Sequence, residues 1–152
     1  MRENMGLYRG KRKDTGEWVE GYLTYRFRYD QQSRKEILGP VIDCPQEVTL
    51  GNTTGKVICS YQVAPCTEGR FTGMTDKNGT KIFEGDIVRD DYESGTHASI
   101  VWLPQGCGWY LSYSCTDRRM GHRSRGCSYI QDEFLEVIGN IHDNPELLEV
   151  SK

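Results

Sequence analysis

Along most of the chain, apolar and polar residues alternate in short runs, and turn-forming residues separate those runs. Residues 7–12 and 17–29 read as a first hairpin across Asp14-Thr15-Gly16. Trp18, Tyr22, Tyr25, Phe27 and Tyr29 supply flat side chains suited to a pleated surface there. A polar loop is expected at 30–36, then apolar runs at 37–43 and 47–50, separated by Cys44-Pro45. A turn at 51–55 leads into a strand at 56–63.

The second half keeps this rhythm. Residues 70–75 and 80–83 flank Asp76-Lys77-Asn78-Gly79, where Asn78 and Gly79 tolerate positive φ and the Asp76 carboxylate caps the turn. Gly85-Asp86 reverses the chain before 87–90, and 98–103 pairs with 109–115 across 104–108. Phe134, Leu135, Val137, Ile138 and Ile141 make a last strand-like run. Helical periodicity is nearly absent until the tail, where Asn144 suits an N-cap, Pro145 the first helical position and Glu146 the positive end of a helix.

These patterns predict a mainly β protein. Antiparallel hairpins would form a small barrel-like or sandwich-like core, with an SH3-like element in the second half and one short C-terminal helix from Pro145. A single domain over 1–152 is expected, with lobes at about 1–63 and 64–152 as an alternative division. The expected core draws on Trp18, Tyr22, Phe71, Phe83, Ile87, Val88, Val101, Ile138 and Ile141.

Composition narrows the class. The 152 residues have 11% aromatic content, too much for a chain disordered throughout, and a mean hydropathy of -0.66. No apolar run approaches membrane-span length, and the charged start lacks the apolar segment that export needs. The six cysteines show no Cys-x-x-Cys spacing and are expected to be reduced thiols. Cys107, Cys115, His122 and Cys127 are the one set worth weighing as zinc ligands. They lack the tight knuckle of a structural site, so no metal and no cofactor are expected.

Catalytic signatures are missing as well. There is no nucleophile elbow, phosphate loop, His-Glu-x-x-His or Gly-x-Gly-x-x-Gly. His97, His122 and His142 have no acid or nucleophile beside them in sequence. Asp76, Glu84 and Asp86 could gather as a cation site, but their places at turns explain them as structural residues. The strongest concentration of charge is at 116–128, where Arg118, Arg119, Arg123, Arg125 and His122 fall within eight residues. Arginine suits bidentate phosphate contacts, which makes this loop a candidate surface for nucleic acid or another partner. The segment 132–149 carries six acidic residues and no Lys or Arg.

Taken together in order, Tyr8-Arg9-Gly10-Lys11, Gly16-Glu17-Trp18-Val19, Gly21-Tyr22, Thr72-Gly73, Asp76 to Gly79, Glu84-Gly85-Asp86 and the run EVIGNIHDNPELL resemble the YopX family. Within that run, Gly139, Asn140, Asn144 and Pro145 are the motif residues. Members of this family are small proteins carried by bacteriophages and prophages. The resemblance covers nearly all of the chain except about 30–50 and the arginine-rich loop. Members usually carry Val where this chain has Glu68, which argues against deep burial of that position here.

The resemblance implies a mainly β fold and a phage origin, and it brings no catalytic residues. The expectation is a non-enzymatic accessory protein in the cytoplasm of a bacterial host. Its partner would be a host or phage protein, a nucleic acid or a further copy of itself, with no membrane association.

Overall fold

The structure, a computed structural model, describes residues 6–113 and 128–149, and every structural statement concerns those residues. The chain divides into two compact units, Met1–Arg70 and Phe71–Lys152. The division falls inside a strand, between Arg70 and Phe71.

The first unit is an antiparallel sheet of β1 (Leu7–Lys11), β2 (Trp18–Asp30), β3 (Lys35–Leu50), β4 (Thr53–Gln62) and the start of β5 (Gly69–Thr75), in the order β4-β3-β2-β1-β5. The 16-residue β3 organises it. One half of β3 pairs with β2, from Lys35 to Asp43, and the other with β4, from Val41 to Leu50. The break expected at Cys44-Pro45 is therefore absent.

Proline survives in β3 because of where the neighbours end. Pro40 pairs with Tyr25 just before the β4 pairing begins, and Pro45 pairs with Ile58 just after the β2 pairing stops. At both places only one side of β3 needs backbone donors, the condition under which a strand accepts proline. The expected polar loop at 30–36 likewise shrinks to the turn 31–34.

This sheet coils strongly enough for its ends to meet. Arg12 bridges Val63, Ala64 N–H donates to the Lys11 carbonyl at 2.7 Å, and Lys13 N–H donates to that of Gln62 at 2.9 Å. Inside the curl, Ile42, Cys44 and Val63 are buried, with Tyr8, Val19, Leu23 and Tyr61 packed around them. Trp18 and Tyr22 lie on the other face. The Arg9 guanidinium covers the Trp18 ring at 4.8 Å, and Tyr22 is half exposed, so neither joins the core, contrary to the sequence-based expectation.

The second unit holds the rest of β5 paired with β6 (Lys81–Phe83), and a sheet of β7 (Asp86–Asp90), β8 (Thr96–Leu103), β9 (Gly108–Tyr113), β10 (Ser128–Tyr129) and β11 (Leu135–Asn140). That sheet runs β10-β9-β8-β7-β11, all antiparallel. Its core is Ile82, Val88, Ala98, Ile100, Leu111, Tyr113 and Leu135. Phe83 and Ile87 are also buried, as expected. Val101 is only half buried because the alternation of β8 turns Ala98 and Ile100 inward. Ile138 falls in the register shift of β11, and Ile141 lies beyond the strand, partly exposed.

Two expectations are corrected here. Among the described residues the five-stranded sheet is open, with β10 and β11 at its edges, so barrel closure of an SH3-like kind is not formed. The C-terminal segment is a single 3-10 turn, Pro145–Leu148, rather than an α-helix. It starts at Pro145 as expected, but Asn144 does not cap it. The Asn144 Oδ1 accepts the Asn140 N–H at 3.4 Å, and the Asn140 Oδ1 accepts the N–H groups of His142 and Asp143, both at 3.0 Å. The side chain suited to capping forward closes the preceding turn instead.

Candidate contact surface

The motif residues of the second unit hold turns in place. Thr72 Oγ1 donates to the Ile82 carbonyl at 2.7 Å and accepts the Met74 N–H at 3.2 Å, around Gly73 with φ of 85°. Asp76 is buried. Its Oδ1 accepts the N–H groups of Asn78 and Thr80, and its Oδ2 that of Val137, each at 2.9 Å. Gly79, at φ 82°, returns its N–H to the Asp76 carbonyl.

Gly85, at φ 83°, joins two elements: its N–H donates to the Ile100 carbonyl and its own carbonyl accepts from Ile141. Asp86 Oδ2 accepts the Phe83 N–H at 2.8 Å, and Glu84 beside it is half buried. Gly139 leaves room for the Asn144 side chain, which a Cβ would meet at 2.5 Å. The carboxylates of Asp76 and Asp86 are thus directed at backbone donors. No cluster of three or more His, Cys, Asp or Glu that could hold a metal occurs among the described residues.

Arg118, Arg119, His122, Arg123 and Arg125 lie outside the described residues, as do Cys115 and Cys127. Of the set weighed for zinc, Cys107 alone is described. It is an exposed thiol in left-handed backbone.

The far end of the first unit carries a feature that the sequence pattern did not single out. The β2–β3 register places Tyr25 opposite Pro40, Phe27 opposite Leu38 and Tyr29 opposite Glu36. Tyr25, Phe27 and Tyr29 alternate along β2, so they share one face, the same face that carries Leu23 and Ile42 into the core. Beyond the core that face is uncovered. Tyr25 is 52%, Phe27 71%, Tyr29 63% and Leu38 56% exposed. Isolated exposed apolar residues are ordinary, but a contiguous set on one strand pair makes a candidate contact surface.

The back of this hairpin is braced. Arg26 donates to Asp43 Oδ2 at 2.6 Å and to Ser60 Oγ at 3.2 Å, and Ser60 donates to Asp43 Oδ1 at 2.5 Å, linking β2, β3 and β4. On the front, the Tyr25 hydroxyl donates to Glu68 Oε1 at 3.0 Å. Burial of the hydroxyl, then the hydrogen bond and charge of Glu68, push the Tyr25 pKa up. Glu68 is half buried, consistent with a position that does not enter the core. The signal in the sequence was Tyr25-Arg26-Phe27-Arg28-Tyr29, strict aromatic alternation that ends in a polar turn.

The same unit brings two thiols together. Cys44 and Cys59 are register partners on β3 and β4, and both are free. Directly opposite residues in an antiparallel pair stand about 4.5–5.5 Å apart at Cα, within the span of a disulfide. Burial, then the neighbouring Cys59, raise the Cys44 pKa, and of this pair Cys59 is the more accessible thiol, the one an oxidant meets first. Diamide takes up the two thiol hydrogens and is expected to join Cys44 Sγ to Cys59 Sγ within one chain. Peptide mapping checks this, and a Cys59 that is unreacted or joined only to Cys66 or Cys107 would reject it.

The YopX protein family model matches residues 7–149. The chain belongs to the YopX family. This member is similar in structure to protein EF1440 from Enterococcus faecalis, determined by crystallography. The two are 26% identical over 93% of this chain and 96% of that chain, with a TM-score of 0.49. No curated protein matches the YopX-family chain. No helix among its described residues is long and apolar enough to cross a membrane.

Proposed function

We propose that this YopX-family protein is a non-enzymatic phage accessory protein that binds a macromolecule in the host cytoplasm through the aromatic face of the β2–β3 hairpin. The observation that carries the reading is the shared exposure of Tyr25, Phe27, Tyr29 and Leu38 on one braced face. A catalytic role has less support. The described carboxylates most deeply buried, Asp76, Asp86 and Asp90, accept from backbone N–H groups at turns, and this is work of folding.

The test replaces the three rings together by serine. Tyr25→Ser, Phe27→Ser and Tyr29→Ser lie on exposed positions, so the variant is expected to retain the β-type circular dichroism of the parent. Tagged parent and variant are incubated with host lysate, with and without nuclease, and their self-association is followed by analytical ultracentrifugation. The parent is expected to retain partners, or to associate with itself, and the folded variant to lose that interaction. Identical behaviour of the two proteins would remove the hairpin face as the contact surface.

A further inference from the structure

We infer that the occupant of the aromatic hairpin face is single-stranded nucleic acid, with bases stacked on Tyr25, Phe27 and Tyr29; this rests on the contact-surface reading above. Three of the four exposed large apolar residues on the face are aromatic, and each ring offers a π-surface to any base. Alternate residues on a strand stand about 6.6–6.8 Å apart, roughly two base steps of a stacked nucleic-acid strand. That spacing suits bases splayed from one another, one per ring, the mode by which exposed sheet aromatics take single strands. The Tyr25 ring is held by its hydroxyl bond to Glu68, and the brace of Arg26, Asp43 and Ser60 stiffens the strand behind the rings. The platform is thus fixed before a ligand arrives, which reduces the entropy lost on binding.

Charge favours the same occupant over an apolar partner. Residues 24–40 contain Arg26, Arg28, Arg34 and Lys35 against Asp30 and Glu36. Arg34 and Lys35 are exposed at the tip beside the last ring. The imbalance is a property of this unit and is hidden in the total of -3. Residues 1–70 carry eleven basic and nine acidic side chains, and residues 71–152 eight basic and thirteen acidic. By this balance the first unit attracts a polyanion and the second does not.

The experiment uses the full chain and a fluorescein-labelled oligothymidylate of about 15 nucleotides at low salt, read by anisotropy. Binding is expected, with quenching of tyrosine emission and weaker binding to a duplex of equal length, whose bases are already stacked. Phe27→Ala is expected to weaken binding about tenfold, and alanine at all three rings by at least about a hundredfold, with circular dichroism and melting unchanged. Replacing Arg34 and Lys35 by Ala should lower the slope of log affinity against log salt by about 0.7 for each phosphate that the side chains neutralise.

A separate variant carries Ala at Arg118, Arg119, Arg123 and Arg125. Binding abolished in that variant but kept in the ring variant overturns the inference by placing the nucleic acid on the loop. Absence of oligonucleotide binding, with a ring-dependent protein partner or self-association, overturns the inference and leaves the contact surface standing. Absence of both removes the contact surface as well.

Discussion

Asp76→Ala is expected to lower stability by about 3 kcal/mol, because one buried carboxylate accepts three backbone N–H groups. Two of those donors, Asn78 and Thr80, lie in the exposed turn and find water once the carboxylate is gone. The third, Val137, sits in β11, where the Asp76 bond ties the turn to a strand more than 60 residues later in the chain. Lys77 N–H adds a second tie to the Leu135 carbonyl at 3.0 Å. Asp76→Asn discriminates between the two roles. Its single carbonyl oxygen can still serve Asn78 and Thr80, but its amide then presents N–H to the N–H of Val137. A loss of about 2 kcal/mol is expected for Asn, measured as a shift in urea midpoint at constant slope. Equal stability of the parent and both variants would show that the carboxylate is not what holds β11 to the turn.

The same carboxylate predicts a pH dependence. Burial alone would push the Asp76 pKa up, but the N–H groups of Val137, Thr80 and Asn78 outweigh it and hold the pKa below the usual value. A carboxylate whose folded pKa is depressed contributes stability that is fully present above its unfolded pKa of about 3.9. That contribution is lost as pH falls through the folded pKa. Asp14 and Asp91 are shifted in the same direction, chiefly by hydrogen bonds from Arg12 and Lys77, but at fully exposed sites where solvent screens them. The difference in stability between the parent and Asp76→Asn should therefore be constant near neutrality and shrink in acid.

Features set by local chemistry were legible in the sequence. The turn at Asp76 to Gly79, the reversal at Gly85-Asp86 and the pairing of Thr96–Leu103 with Gly108–Tyr113 all follow from residues close together in the chain. Features set by neighbours were not. Proline in β3 reads as a break until it is known that Pro45 has a paired strand on one side only and that Pro40 is used on its second side only as an acceptor, from the Val63 N–H. Asn144 reads as a helix cap until Asn140 is known to compete for its side chain. The candidate contact surface shows the same limit. Aromatic alternation identifies a strand with two unlike faces, but whether a face is covered depends on the layer packed against it, and the pattern carries no information about that layer. Tyr22 and Phe27 look equivalent in sequence, and both are uncovered for different reasons, one on the outer side of the curl and the other beyond the end of the core.

The coil of the first sheet yields the other large effect, at Gly21. A Cβ there would collide with the Asp43 carbonyl oxygen and stand 2.9 Å from the Ile42 Cγ2. The nearer atom is backbone, held in the β2–β3 ladder where Tyr22 pairs with Asp43, so it cannot yield as the end of a flexible side chain would. Gly21→Ala must either part β2 from β3 at this point or displace Ile42, which is fully buried. Overpacking of this kind costs about 3 kcal/mol, which for a chain of this length lowers the melting temperature by roughly 10 °C. Gly39 is the control. It lies on the same pair of strands, opposite Arg26, and a Cβ there meets nothing within 4 Å. Gly39→Ala should leave stability unchanged or raise it by about 0.5 kcal/mol, because alanine restricts the unfolded chain. Thermal unfolding of the two variants side by side isolates the close approach from the general effect of replacing glycine in a strand. If both melt with the parent, the ladder at Asp43 can give way to a Cβ, and the tight coil does not depend on glycine at this position.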